Sequence, residues 1–319
     1  MKYFKNRDHN QGRREFLSMI SAAAAMGLMG TTIADGELPS DRDVKFRQSS
    51  GPMPTIVLGK HIISRLISGC NPILGYSYMG PFADRAMKEY FTRERVIRFH
   101  YDCEKAGIIT HQMSYVGNET SHHLPGPGSG RQLICLMSEI DKIEDAIKII
   151  NPIGLSHHGG VTDRLFAGGK SEVVHDFVKA VRDKGILAGV SAHNPDCIKQ
   201  IADEDWDVDF FMTCFYFLTR KIAGKAVDIP TLEISHPFFK DDPKIMVKVI
   251  QQVKQPCLVY KILGAGRQCS SQEMVRSAFQ FAFENIKPVD GIIVGMCPWY
   301  FDQIGANAQY AKDLGMHKS

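Results

Sequence analysis

Short apolar runs alternate with longer amphipathic stretches along residues 55–313. Eight runs have the length and composition of buried strands: 62–70, 106–113, 131–137, 151–158, 185–194, 208–216, 255–266 and 290–296. Helix-like periodicity occupies the segments between them: 83–105, 139–150, 171–184, 195–203, 243–254, 272–286 and 299–313. Strands that alternate with helices pair in parallel through right-handed crossovers, so eight such units predict one (β/α)8 TIM barrel. An open doubly wound sheet is the alternative, and it lacks pairing between the first and last runs.

The first 34 residues predict an export signal rather than part of the fold. Arg13-Arg14 is followed after one residue by Phe16-Leu17, then by a small, uncharged, weakly apolar stretch that ends in TIA before Asp35. This order is typical of a twin-arginine signal, which implies the twin-arginine export machinery as a partner, a bacterial source and a periplasmic or otherwise exported protein. A disordered basic tail or an ordinary amphipathic helix is the simpler alternative. Residues 35–54 are polar and aperiodic, which indicates a linker before a barrel domain over 55–319.

The net charge of the chain is different without this segment. Residues 1–34 contain five Lys or Arg and two Asp or Glu, so the formal charge of +3 lies there and the remainder is neutral. No basic face for nucleic acid is therefore indicated. The small-residue stretch is also too short for a convincing membrane span. The eight cysteines form no CxxC pair, and four lie in or beside apolar runs, so we expect mostly free buried thiols.

In a TIM barrel the carboxyl ends of all strands meet at one mouth, where active sites form. The ends of the eight runs carry candidate functional groups: Asn71, His111-Gln112, Glu139, His157-His158, His193-Asn194, Phe215-Tyr216, Lys261 and Met296. Histidine at three of these ends predicts a cluster. Side chains alternate in direction along a strand, so His157 and His158 are not both expected to face the mouth.

Several of these stretches resemble the aldo-keto reductase superfamily. IVLGKHIISRLISGC resembles its opening hairpin and first strand, EKAGIITHQMSYVG its second strand, PIGLSHH its fourth, GILAGVSAHN its fifth, and DGIIVGMCPWYFDQIGANAQYA its eighth strand and last helix. The resemblance runs from about residue 55 to 313. It implies a TIM barrel with NAD(P)-dependent oxidoreductase activity, a catalytic tetrad on the strand ends and a nucleotide site after the last strands.

The tetrad that this resemblance implies is incomplete. By this resemblance, its aspartate falls on Gln112, its lysine on Met137, its tyrosine on Tyr115 and its histidine on His157. Without the acidic and basic partners, we expect Tyr115 to be a poor proton donor. The family's basic residues for an adenosine phosphate are also missing from 296–310. A turn with Gly264, Gly266 and Arg267 could bind a cofactor phosphate instead, or be a plain turn.

Three kinds of chemistry stay open on these residues. His157 or His158, His193 and Lys261 could perform acid–base catalysis, and a buried Lys261 could also form a Schiff base or a structural ion pair. A divalent metal would need His111, Glu139, His158 and His193 to converge.

Asn71, Gln112, Asn194 and Tyr216 are expected to contact substrate, although Asn194-Pro195-Asp196 is also a good helix start. The resulting hypotheses are an exported enzyme acting on a small polar, carbohydrate-derived metabolite, an altered NAD(P)-dependent oxidoreductase, and a non-catalytic binding barrel.

Overall fold

The computed structural model describes residues 51–220 and 236–316, which form a closed parallel barrel. Its strands are β3 (Leu66–Gly69), β4 (Thr110–Ser114), β5 (Gln132–Met137), β6 (Gly154–His157), β7 (Leu187–Ala192), β8 (Phe210–Cys214), β9 (Cys257–Tyr260) and β10 (Gly291–Gly295). Each strand pairs with its neighbour in sequence, and β10 closes the circle on β3 with Ile293 opposite Ile67. This pairing excludes the open sheet and confirms the predicted TIM barrel. The predicted signal over 1–34 lies outside the described residues, as does the predicted linker over 35–54 except for its last four residues.

A β-hairpin precedes the barrel at the amino-terminal end of β3. It consists of β1 (Thr55–Leu58) and β2 (His61–Ser64), which pair antiparallel. Ile56, Leu58 and Ile63 project into the barrel interior and pack with apolar side chains from five of its strands. The apolar run predicted at 62–70 is therefore two strands separated by Arg65, because the chain turns from the hairpin into the barrel there.

Ten helices occupy the described residues between and after the strands. They are α1 (Asn71–Leu74), α2 (Pro81–Tyr90), α3 (Arg93–Lys105), α4 (Ile143–Ile150), α5 (Gly159–Ala167), α6 (Ser171–Arg182), α7 (Pro195–Asp203), α8 (Asp242–Gln252), α9 (Gln272–Asn285) and α10 (Gln303–Leu314). The predicted helix at 83–105 is broken in two, because the Thr92 hydroxyl accepts a hydrogen bond from the Arg95 amide and starts a new helix. Helix α5 was missed, because the Gly159-Gly160 pair has low helix propensity.

The apolar side chains of the strands form two layers, one inside the barrel and one beneath the helices. The layer to which a side chain belongs shows which way it points from its strand. Side chains that point inward, such as Ile134, Phe210 and Leu258, fill the barrel, whereas those that point outward, such as Leu155 and Val190, pack beneath the helices. Because direction alternates along a strand, this parity decides which polar groups reach the mouth.

All eight cysteines are free thiols, and six of them are buried, as expected. Across residues 51–220 and 236–316, none of the helices has the length and apolarity that crossing a membrane requires.

Candidate active site

A buried aspartate–histidine pair lies at the carboxyl end of the barrel. His193 follows β7 and Asp163 lies in α5, and the His193 Nδ1 is 2.9 Å from the Asp163 Oδ2. Both residues are buried, with 8% and 4% of their surface exposed. The carboxylate accepts the Nδ1 hydrogen, so the imidazole presents Nε2 as its acceptor, and Nε2 has no hydrogen-bond partner within the described residues. The pair has the arrangement of a base held by a carboxylate.

Asp163 also holds the surrounding loops. Its carboxylate accepts hydrogen bonds from the backbone amides of His193 and Asn194 and, at 2.9 Å, from the hydroxyl of Thr219. These donors come from the β7–α7 and β8–α8 connections. A buried carboxylate needs such partners, because desolvation of an unpaired charge is costly. Asp163 therefore sets both the orientation of the imidazole and the path of the chain that carries it.

The protonation state of His193 suits a base. Burial lowers the pKa of His193 to about 4; the hydrogen bond to Asp163 opposes this shift, and the charge of Lys261 adds to it. The imidazole is therefore neutral at pH 7, so it can accept a proton.

Tyr260 and Ser191 lie beside this pair on the inner face of the barrel. The Ser191 hydroxyl donates to the Tyr260 Oη at 3.2 Å, and the Tyr260 ring lies edge-on to the imidazole with centroids 5.7 Å apart. Burial raises the pKa of Tyr260 well above its ordinary value, so the phenol is neutral. The backbone of Gly159 comes so close that a Cβ there would lie 2.9 Å from the Ser191 hydroxyl and 3.0 Å from the Tyr260 hydroxyl. Glycine is required for α5 to reach this position.

Lys261 brings a positive charge to the same mouth. Its Nζ lies 4.4 Å from the ring centroid of Tyr78 and 4.8 Å from that of Tyr260, which are cation–π distances. No carboxylate of the described residues lies within 4.0 Å of this ammonium. The charge of Lys261 acts on both His158 and His193, where it lowers the pKa of each imidazole after the larger effect of desolvation.

His158 is the most exposed member of the set, although the protein atoms around its imidazole still lower its pKa by desolvation. It is the residue before α5, where its carbonyl accepts from the amides of Val161 and Thr162. Its imidazole lies within electrostatic range of Lys261 and His193. Of the acid–base residues that the sequence predicted, the structure thus brings His158, His193 and Lys261 together at the mouth.

His157 does not join them, which corrects its assignment as a catalytic residue. The side chain is fully buried on the outer face of β6, where its Nδ1 is 2.7 Å from the Thr162 hydroxyl and its ring lies edge-on to Phe177. The cause is the strand parity: Leu155 and His157 face the helices, so the next residue, His158, faces the mouth.

The predicted metal site is also wrong. His111 points outward from β4, with its Nδ1 2.9 Å from the Ser68 hydroxyl and its ring 4.6 Å from that of His100. Glu139 is exposed and accepts a hydrogen bond from the Ser138 amide. Within the part of the chain that the structure describes, no three His, Cys, Asp or Glu side chains are arranged to hold a metal ion. The donors named by the sequence therefore do not fit a divalent cation.

The remaining substrate residues near β3, β4 and β7 have structural partners. Asn71 begins α1, and its carbonyl accepts from the Tyr76 amide. The Gln112 carboxamide donates to the Met113 carbonyl at 2.8 Å. The Asn194 side chain accepts from the Asp196 amide and caps α7, so the helix-start alternative is the one observed. Tyr115 packs against the outer apolar layer, and no described contact joins it to His193 or Lys261.

The turn after β9 forms the rim of the mouth together with aromatic side chains. Gly264 and Gly266 have φ angles of 56° and 90°, and the Arg267 guanidinium lies 3.8 Å from the ring centroid of Phe238. Tyr216, which the sequence analysis expected to contact substrate, packs on the same ring with centroids 5.0 Å apart. Arg267 donates to the Gly264 carbonyl and is exposed, so its guanidinium is available to an anion at the rim.

The sequence reasoning missed Asp163, Ser191 and Tyr260. Asp163 follows His158 by five residues in the sequence, but its partner His193 lies thirty residues further along the chain. Tyr260 directly precedes Lys261 in an apolar run, where an aromatic residue is typical of a strand interior. The contact between Asp163 and His193 depends on α5 folding back over the mouth, and the sequence of that helix has only a weak helical pattern.

Comparison with known proteins supports the fold. No protein-family model and no curated protein matches the chain. Among solved structures, a thermostable aldo-keto reductase matches with a TM-score of 0.54 at 11% identity, over 83% of this chain and 96% of the other. The glycerol dehydrogenase of Gluconobacter oxydans matches with a TM-score of 0.51 at 11% identity, over 83% and 91%. The chain thus has a TIM-barrel fold like that of the aldo-keto reductases, as the sequence resemblance implied.

Proposed function

We propose that this protein is an enzyme that transfers protons to and from a small polar metabolite at the carboxyl-terminal mouth of its barrel. The observation that carries the proposal is the buried Asp163–His193 pair, which holds a neutral imidazole with Nε2 as its acceptor. Carbohydrate derivatives are the substrates we favour. The reaction class is of the isomerase or lyase type, since such reactions need a base and a returning acid rather than a hydride.

Each residue has one role in this scheme. His193 takes the substrate proton on Nε2, and Asp163 is a positioning residue that keeps the Nδ1 hydrogen engaged. His158 is exposed beside the pair and exchanges the proton with solvent. Lys261 supplies positive charge where an oxygen of the substrate becomes negative.

An experiment that needs no knowledge of the product tests this proposal. A panel of aldoses, ketoses and hydroxy acids is incubated with the protein in deuterated water, and NMR detects deuterium that enters carbon positions. His193→Gln should lower the exchange rate by about 10²- to 10⁴-fold, the usual contribution of a general base. His61→Asn, on the hairpin at the opposite end, is the matched control. Exchange that survives unchanged in His193→Gln would overturn the proposal.

A nicotinamide-dependent reductase is the main competing function. Gln112 and Met137 stand where that family has the aspartate and lysine that activate its tyrosine. In the structure the Gln112 side chain donates to the Met113 carbonyl, and Met137 is buried in the outer apolar layer. We therefore expect slow or no turnover of simple aldehydes with NADPH, measured at 340 nm. Turnover near the enzyme median of about 10 per second would favour the reductase.

Export by the twin-arginine route to the periplasm is part of the proposal and rests on residues 1–34 alone. Replacing both Arg13 and Arg14 by Lys should retain the protein in the cytoplasm, measured by cell fractionation and immunoblotting. Normal export of that double variant would show that another route operates.

A further inference from the structure

Backbone strain is concentrated at the mouth. Five non-glycine residues of the described chain have positive φ angles, and two of them, Asn151 and Asp205, are residue types that tolerate this conformation. The other three are Tyr78 at 59°, Lys261 at 60° and Ala265 at 51°. A left-handed conformation is unfavourable for such residues, because their Cβ comes too close to the following carbonyl oxygen. Strain of this kind persists where the surrounding structure requires it and commonly marks a functional site.

The strained backbone places an ammonium between two aromatic rings. Lys261 Nζ contacts the ring faces of Tyr78 and Tyr260 at cation–π distance, and Tyr78 itself packs edge-on against Phe238. Phe238 in turn carries the Arg267 guanidinium. Aromatic side chains therefore hold two cations at this mouth without neutralising either of them.

Neither cation has an acidic partner in the described chain. Arg220, which lies nearby in the β8–α8 connection, is paired with Asp242, and the carboxylate of Asp163 is already bonded to His193 and Thr219. No carboxylate of residues 51–220 or 236–316 forms an ion pair with Lys261 or Arg267. The mouth thus presents two cations that form no ion pair, beside the imidazole and the hydrogen-bonded carboxylate of Asp163.

We propose that the substrate is a small organic anion whose carboxylate or phosphate oxygens bind Lys261, with Arg267 as a second contact at the rim. This inference rests on the proposed function, since it names the substrate class of the same site. Lys261 then acts as a fixed cation and not as a Schiff-base nucleophile, because an amine would lose the attraction to both aromatic rings.

Anion binding would also prepare the base. Burial is the main cause that lowers the pKa of His193 to about 4, and the charge of Lys261 adds to it. A bound anion offsets that charge, so the pKa of His193 should rise from this lowered value, which makes the imidazole a stronger base. Substrate recognition and activation of the base are therefore linked through one ammonium.

The test measures anion binding directly on the full-length protein. Inorganic phosphate and malonate are titrated separately, with sodium chloride at matched ionic strength, while thermal unfolding is monitored. A ligand that binds only the native state raises the melting temperature with concentration. We expect at least one anion to do so for the wild type and for His193→Gln. The two arms distinguish phosphate from carboxylate recognition.

Three variants assign the effect to the mouth. Lys261→Met should raise the apparent Kd at least tenfold, Lys261→Arg should retain part of the binding, and Lys60→Met, on the exposed hairpin turn, should match the wild type. In the wild type, malonate or phosphate should also shift the His193 pKa upward in NMR titrations. Binding that survives Lys261→Met, or a melting temperature that follows ionic strength alone, overturns the inference.

The outcome is separable from that of the proposed function. Anion binding without deuterium exchange in any compound would support this inference and count against the acid–base assignment. Deuterium exchange into neutral sugars with no anion effect would support the acid–base assignment and overturn this inference. Trapping of a carbonyl compound on Lys261 by borohydride would show a Schiff base and overturn the fixed-cation role.

Discussion

The histidines at the mouth and those behind the strands have similar sequence settings and different environments. His111, His157 and His193 each end an apolar run, yet only His193 reaches the mouth. His111 and His157 lie on outward positions, where they contact Ser68 and Thr162. The comparison shows that the parity of a strand residue, more than its residue type, decides whether a terminal histidine can meet a substrate.

On the outer side of the barrel, His111 belongs to a buried polar network beneath helix α3. His111 contacts His100, whose Nδ1 is 2.9 Å from an Arg131 nitrogen, and Arg131 also donates to the Ser68 hydroxyl and the Thr110 carbonyl. Arg131 is only 7% exposed and has no carboxylate partner in the described chain. Neutral histidines are required around such a buried charge, so this network serves packing and folding.

The largest effect that we expect is acid sensitivity. Burial lowers the pKa of His100 to about 3, and that of His157 and His193 to about 4. In the unfolded chain these groups take up protons below their usual pKa of about 6.5, whereas in the folded chain they do not until pH 3–4. The unfolded state therefore binds more protons, and the free energy of unfolding should fall as pH decreases from 6.5 to 4, by roughly 1.4 kcal/mol per pH unit for each histidine.

Urea denaturation at pH 7.5, 6.5, 5.5 and 4.5 measures this slope. His100→Gln removes one titrating group, so its slope should be smaller than that of the wild type by about 1.4 kcal/mol per pH unit. His122→Asn, which changes an exposed imidazole, is the control. Equal slopes for His100→Gln and the wild type would show that the outward network does not stay neutral.

The next effect compares the two adjacent histidines. His157→Ala removes a buried ring and leaves the Thr162 hydroxyl without its partner, so it should lower the free energy of unfolding by about 2–4 kcal/mol. His158→Ala removes an exposed ring and should cost less than about 0.5 kcal/mol. Activity should change in the opposite order when it is normalised to folded protein. Equal stability losses for both variants would contradict the assignment of His157 to packing.

The sequence was sufficient to predict the barrel fold, but it predicted only some of the residues in the candidate site. Apolar runs such as 208–216 and 290–296 predicted strands because burial on both faces leaves a continuous apolar signature. Strand-end residues His158, His193 and Lys261 followed from the convergence of strand ends in a barrel. Asp163 could not be predicted, because its role depends on a glycine-initiated helix whose own pattern is weak. His157 and His111 were misplaced because the register of each strand against the helices is a tertiary property.

The smallest effect concerns the two glycines that start α5, and it tests how closely this helix approaches the site. Gly159→Ala places a Cβ 2.9 Å from the Ser191 hydroxyl, 3.0 Å from the Tyr260 hydroxyl and 3.3 Å from the His193 ring, so buried side chains must move.

Overpacking of this kind should destabilise the fold by about 1–2 kcal/mol and reduce activity, because the imidazole shifts. Gly160→Ala is the matched control, since its Cβ would meet nothing closer than 3.5 Å. Alanine is favoured over glycine in helices, so this variant should gain about 0.5–1 kcal/mol and keep its activity. Thermal unfolding and the deuterium-exchange assay measure both. If Gly159→Ala behaved like Gly160→Ala, α5 would not lie against the mouth, and the position of Asp163 beside His193 would lose its structural basis.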